Sequence, residues 1–178
     1  TTSAMSAVIN NAALIKKVYM PKYLFVISRV FSSFINLLAS FTALLVVMIA
    51  TRAELHWKVV FAVIPLGFIV VFSLGVGLLL SALVVKFRDI MHLYSVFITA
   101  LLYLTPVIYP MSSLPYWMQK VVGLNPITNI LMMFRDVMLY DNFPNLSSIL
   151  IATIESLAAL GIGVYVFYKK QDEFILNI

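Results

Sequence analysis

The chain has 178 residues, 63% of them hydrophobic and 11% charged, with mean hydropathy +1.05, where a soluble domain carries roughly 25% charged residues. Apolar runs as long as the ~20 residues needed to cross a bilayer recur along it, so a soluble globular domain is excluded and an all-α integral membrane protein is expected. The net charge of +5 is clustered between apolar runs, where it reads as a topology signal and not as a nucleic-acid surface. With no cysteine, disulfides, thiolate nucleophiles and cysteine-held metal centres are excluded as well.

The chain opens on Thr1-Thr2-Ser3 with no secretory leader, which reads as an N-terminally incomplete sequence. A short basic stretch, NNAALIKKVYMP from Asn10 to Pro21, precedes the first span, Tyr23 to Ala50. A helix of that length rises about 42 Å against a hydrocarbon core of ~30 Å, so its first turns fall at the interface and Lys22 and Arg29 reach the headgroups. After a polar loop from Thr51 to Lys58, the second span runs from Val59 to Val85 and carries Pro65, Gly67, Gly75 and Gly77.

Lys86-Phe87-Arg88-Asp89 closes that span as a compact charged turn. The third span is expected from Leu93 to Tyr109, ending in Thr105-Pro106-Val107-Ile108-Tyr109-Pro110, where two prolines break the helix. Residues 111–145 are too polar to cross and too apolar for an ordinary soluble loop. They read as interfacial or re-entrant, with Pro115, Gly123, Asn125-Pro126 and Pro144 marking off two short helical pieces and Tyr116, Trp117 and Tyr140 suited to the headgroup level. The fourth span, Leu146 to Tyr168, is stopped by Lys169-Lys170, and 169–178 forms a cytoplasmic tail.

With four crossings both termini share a side with the Lys86 to His92 turn. That side holds Lys16, Lys17, Lys22, Arg29, Lys86, Arg88, Lys169 and Lys170; the other holds Arg52, Lys58, Lys120 and Arg135. Eight against four places the termini in the cytoplasm.

Catalytic chemistry is missing. None of the six glycines is followed by lysine, so no phosphate-cradling GxxxxGK[ST] loop exists, and Gly75-Val76-Gly77 lies inside a membrane helix. His56 and His92 fall on opposite sides and cannot share a metal. No Ser, His and Asp come together in this topology.

The polar residues of the spans are more informative. Arg29, Ser32, Ser33, Asn36 and Ser40 share one face of the first span, either as interhelical hydrogen-bonding groups or as the wall of a polar translocation path. Ser73, Gly77 and Ser81 form a small-residue packing face, and Glu155 shares a face with Ala159 and Gly163, turned to a helix interface or reaching toward the outer headgroups. Thr99, Tyr103 and Pro106 fall on one face of the third span with Tyr109 beyond, a pattern that fits either an aromatic belt or sugar stacking. The two cytoplasmic elements, 10–21 and 86–92, read as positive-inside anchors or as docking points for an energy-supplying subunit.

Four blocks in order, LIKKVYMP ending at Pro21, KFRDI from Lys86, LTPVIYP from Leu104 and LNPITNILMMFRD from Leu124, resemble the permease subunit of ABC-2 type polysaccharide exporters, over nearly the whole chain. The resemblance implies the end of a second span in residues 1–22 followed by spans three to six of an ABC-2 type transmembrane domain, with extracellular re-entrant helices within 111–145. It further implies two cytoplasmic coupling helices, one with Leu14, Ile15, Lys16 and Lys17 and one with Lys86, Arg88 and Asp89. Each would dock on an ATP-binding cassette subunit.

By the same resemblance two permeases pair with two such subunits in the bacterial plasma membrane, ATP and Mg being held by the partner and no cofactor by this chain. The path would draw on Arg29, Ser33, Asn36, Ser40, Thr99, Tyr103 and Tyr109, and the substrate would be a lipid-linked O-antigen, capsular polysaccharide or teichoic acid. The open alternatives are a drug or lipid exporter permease of the same superfamily and a non-transporting membrane scaffold.

Overall fold

Hydrocarbon offers a backbone no hydrogen-bonding partner, so a sequence this apolar must satisfy its peptide groups within helices. A computed structural model describes residues 1–11, 14, 20–52, 56–171 and 174. Among them the regular elements are all helical: α1 Thr2–Met5, α2 Ala7–Asn10, α3 Tyr23–Ala50, α4 Val63–Lys86, α5 Ile90–Leu104, α6 Tyr116–Gly123, α7 Pro126–Met138 and α8 Leu146–Lys170. A 3-10 segment, Trp57–Ala62, leads directly into α4, and a second, Met111–Ser113, precedes α6.

Among the described residues three helices are long and apolar enough to cross a membrane: α3, the continuous Trp57–Lys86 unit and α8. The third expected span differs. Its helix starts earlier, at Ile90, and ends at Leu104 instead of Tyr109, because Pro106 drives Thr105 into an extended conformation (φ −87°, ψ 130°). Its 15 residues rise only about 22 Å, short of the ~30 Å core. In the following region two helices form, α6 after Pro115 and α7 with Pro126 in its first turn, the latter capped by the Asn125 carboxamide accepting from Ile127 N–H at 3.1 Å.

The apolar residues of α4 run around its whole circumference, which marks a helix surrounded by others. Helices α1, α3, α7 and α8 all pack on it, α8 most extensively. The α4–α8 crossing is set by glycine: a Cβ at Gly75 would overlap the Ala159 backbone, and one at Gly163 would overlap the Gly75 carbonyl. Near the crossing the Ser156 hydroxyl donates to the Phe68 carbonyl at 3.3 Å. The small-residue face foreseen on Ser73, Gly77 and Ser81 serves a different contact, since Gly77 looks onto Ala4, Val26 and Val30 of α1 and α3.

Each end of the bundle is closed in its own way. On the expected outer side Trp57, Phe61 and Phe143 pack edge-on with centroids 5.4 to 5.9 Å apart. Beside them Lys58 pairs with Asp141 at 3.1 Å and lies 4.9 Å over the Phe143 ring. At the opposite end Ala4, Val8, Phe25, Val26, Ala82, Val85, Phe167 and Phe174 form one buried cluster. Helix α8 continues to Lys170, and Phe174, only 1% exposed, is part of that cluster.

Replacing Gly163 by leucine is expected to destabilise the protein by about 1–3 kcal/mol or more, because the side chain has nowhere to go but into the α4 backbone. Gly161→Ala, whose Cβ meets nothing within 4 Å, should leave stability unchanged or raised. Thermal unfolding of the detergent-solubilised protein, followed by size-exclusion chromatography, separates the two outcomes; equal midpoints would remove the glycine crossing from the account.

Candidate functional site

Of the four residues named in the first expected coupling element only Leu14 is described, and it is exposed; Ile15, Lys16 and Lys17 lie outside the described residues. The second forms no helix of its own. Lys86 is the last residue of α4, Phe87 is extended (φ −126°, ψ 90°), and Asp89 already occupies the N-cap of α5. Only Phe87, Arg88 and Asp89 separate α4 from α5, too few to nucleate a helix of their own. What results is a tight turn with Lys86, Arg88 and Asp89 all exposed, the Lys86 ammonium 5.9 Å over the Phe87 ring, and the Asp89 charge at the favourable N-terminus of α5.

The expected path residues divide. On α3, Arg29, Ser33, Asn36 and Ser40 are exposed, and the serines are satisfied within their own helix: Ser33 donates to the Arg29 carbonyl and Ser40 to the Asn36 carbonyl, both at 3.0 Å. They are not cross-helix glue among the described residues. Ser33 also lines a cavity of about 180 Å³ between α3 and α4, together with Val30, Phe34, Ile69 and Ser73. Ser73 reaches a second cavity of about 360 Å³ bounded by Phe72, Tyr94, Phe97 and Asn125, so α4 presents one hydroxyl to both.

On α5 the common face of Thr99, Tyr103 and Pro106 is lost with the helix: Pro106 is buried while Thr99 and Tyr103 are exposed. Thr99 bonds back to the Ser95 carbonyl at 3.0 Å. Tyr109 folds over the break, its hydroxyl donating to the Tyr103 carbonyl at 2.7 Å.

The most organised polar geometry lies where α7 meets the segment after α5. The Asn125 carboxamide, besides capping α7, donates to the Thr105 hydroxyl at 3.0 Å, and the Arg135 guanidinium donates to the Val107 carbonyl at 2.8 Å. Thr105 is 3% exposed. One helix thus holds a non-helical strand at two points, and LTPVIYP and LNPITNILMMFRD, separate blocks in the sequence, meet in space. Sequence reasoning used Asn125 as punctuation and Arg135 as a topology count; nothing in their spacing reveals the partner.

Glu155 lies beside Asn129 of α7, whose carboxamide donates to the Ser148 carbonyl of α8 at 3.3 Å. The acid is therefore held at the α7–α8 interface, while Ala159 and Gly163 further along α8 meet α4. Among the described residues no group of three or more His, Cys, Asp or Glu is placed to hold a metal ion.

The ABC-2 type transporter family matches residues 6–139, which take in α2 to α7 and both bonded blocks. The chain is 25% identical over 175 residues to the O-antigen export system permease protein RfbA of Myxococcus xanthus, a match covering 97% of this chain and 67% of that relative. It is 24% and 25% identical, over the same shares, to two proteins of the same name from Klebsiella pneumoniae. A helical membrane protein matched by the family over most of its length, with two of its blocks bonded to each other, belongs to the ABC-2 type transporter family.

Proposed function

We propose that this chain is the permease subunit of an ATP-driven exporter that moves a lipid-linked polysaccharide of the O-antigen class across the bacterial inner membrane. The observation that carries the reading is similarity to O-antigen export permeases along 97% of the chain, which a shared helix or one shared motif would not give. Two copies work with two ATP-binding cassette subunits that hold ATP and Mg. In each, α3, the Trp57–Lys86 unit, α5 with residues 105–110, and α8 cross the membrane, residues 1–10 close a further span, and the excess of basic residues on one side keeps the termini cytoplasmic.

Energy enters at 11–22 and at the 86–89 turn. Because that turn joins α4 to α5 with almost no slack, a force on Arg88 or Asp89 acts on both helices at once. The polar face of α3 supports a path: an exposed Asn36 carboxamide left against hydrocarbon costs several kcal/mol, so in the assembled transporter this face meets water, substrate or a second copy. Tyr103 and Tyr109 add aromatic rings with hydroxyls, and Thr99 a further hydroxyl, groups that stack on and hydrogen-bond to sugars.

Charge reversal at the turn, Arg88→Glu with Asp89→Lys, is expected to lower the amount of ATP-binding subunit co-purifying with the permease about tenfold, because like charges are set against a surface built for the opposite pattern. Membrane insertion should be unchanged, and wild-type recovery of the subunit would count against docking at this turn. At the outer clamp, Thr105→Val strands the Asn125 amide donor at a cost of about 1–3 kcal/mol. Lower thermal stability and less surface polysaccharide should follow, with Thr105→Ser normal in both; a fully active valine variant would dismiss the clamp.

A further inference from the structure

Lys22 stands at the N-cap of α3, where the 11–22 segment re-joins the helical bundle. It does not point freely to headgroups. Its ammonium donates to the Gln171 carbonyl at the end of α8 and lies 5.5 Å over the Phe174 ring. Phe174 in turn packs edge-on to Phe167 with centroids 5.3 Å apart and an interplanar angle of 87°. It shares a buried cluster with Ala7 and Val8 of α2, Phe25 and Val26 of α3, and Val85 of α4.

The other end of the 11–22 segment is fixed to the same body, since the Asn11 carboxamide donates to the Ala7 carbonyl of α2 at 2.7 Å. Both roots of the segment therefore sit on the cluster that Phe174 fills, and one root is bonded directly to the end of α8. We infer that Phe174 and Lys22 are positioning residues for energy coupling: they tie the ATPase-facing 11–22 segment to α8, so that displacement of the segment moves α8 and not the segment alone. This rests on the exporter reading above and adds the C-terminal residues to its coupling apparatus. An ordinary anchor would need neither a buried aromatic nor a cation held over its face, because a lysine at a helix end is stable in the headgroups without either.

The test uses the permease purified from native membranes with its bound ATP-binding subunit, measuring ATP hydrolysis by the complex beside the carbohydrate extractable from the surface of the same cells. Phe174→Ala is expected to retain the bound subunit and basal hydrolysis while surface carbohydrate falls about fivefold or more, the lower end of ordinary coupling between sites. Phe174→Trp, which keeps an aromatic face, should restore most of it. Unchanged surface carbohydrate in Phe174→Ala overturns the inference, and so does a parallel loss of bound subunit and hydrolysis, which would mark a purely structural role.

Should Phe174→Ala fail to accumulate in the membrane, Lys22→Met decides: the same loss of carbohydrate per ATP hydrolysed, spared in Lys22→Arg, supports the tie, and an unchanged ratio refutes it. A wild-type permease that brings down no ATP-binding subunit defeats the exporter reading itself, before any variant is compared.

Discussion

The backbone-to-backbone approach of α4 and α8 at Gly75 and Gly163 is the contact on which the arrangement of the other helices depends. In lipid the hydrophobic effect gives helices no reason to associate, since the tails are as apolar as leucine; close packing and hydrogen bonds must do it instead. Glycine permits the approach because its missing Cβ leaves room for the partner's backbone, that of Ala159 at Gly75 and that of Gly75 at Gly163, whereas Gly67 and Gly161 face open space. Once α8 is fixed on α4, its N-terminal half presents Glu155 to Asn129 of α7, and its C-terminal end brings Phe167 into the cluster that holds Phe174.

Polar groups are distributed as the cost of burying them requires. The exposed hydroxyls of Ser33 and Ser40 on α3 and Thr99 on α5 are satisfied within their own helices, so they can face outward without an orphaned donor, whereas Ser156 bonds across to α4. Two lysines are held at the two ends: Lys58 with Asp141 on one, Lys22 with the Gln171 carbonyl on the other. Both lysines also lie over a phenylalanine ring. A cation whose stem and face are covered by an aromatic ring is held in one place in a way that a headgroup-solvated lysine is not.

Helix identity was legible from the sequence because periodicity and hydropathy act over many residues, and α3 and the start of α8 fall where the apolar runs place them. The extent of α5 was not, because a hydropathy run continues through Pro106 although the backbone does not. Pairings were hidden for a different reason. Gly75 and Gly77 are equivalent in composition, and only three-dimensional packing assigns the first to α8 and the second to α1 and α3. Similarly, Phe174 follows a charged run, Lys169 to Glu173, and its burial draws on residues as distant in sequence as Ala7, Val8 and Phe25.

The shortness of α5 and the presence of α7 are two sides of one constraint. A helix broken at Thr105-Pro106 frees peptide groups that its own turns no longer satisfy, and freed backbone groups away from water need protein partners. Helix α7 supplies that cover through Asn125 on the Thr105 side chain and Arg135 on the Val107 carbonyl, while Tyr109 satisfies the freed Tyr103 carbonyl. A straight α5 would take these acceptors away from Asn125 and Arg135, and without α7 the break would lose both donors. The two blocks that look independent in the sequence are therefore joined through side-chain hydrogen bonds at both ends of the break.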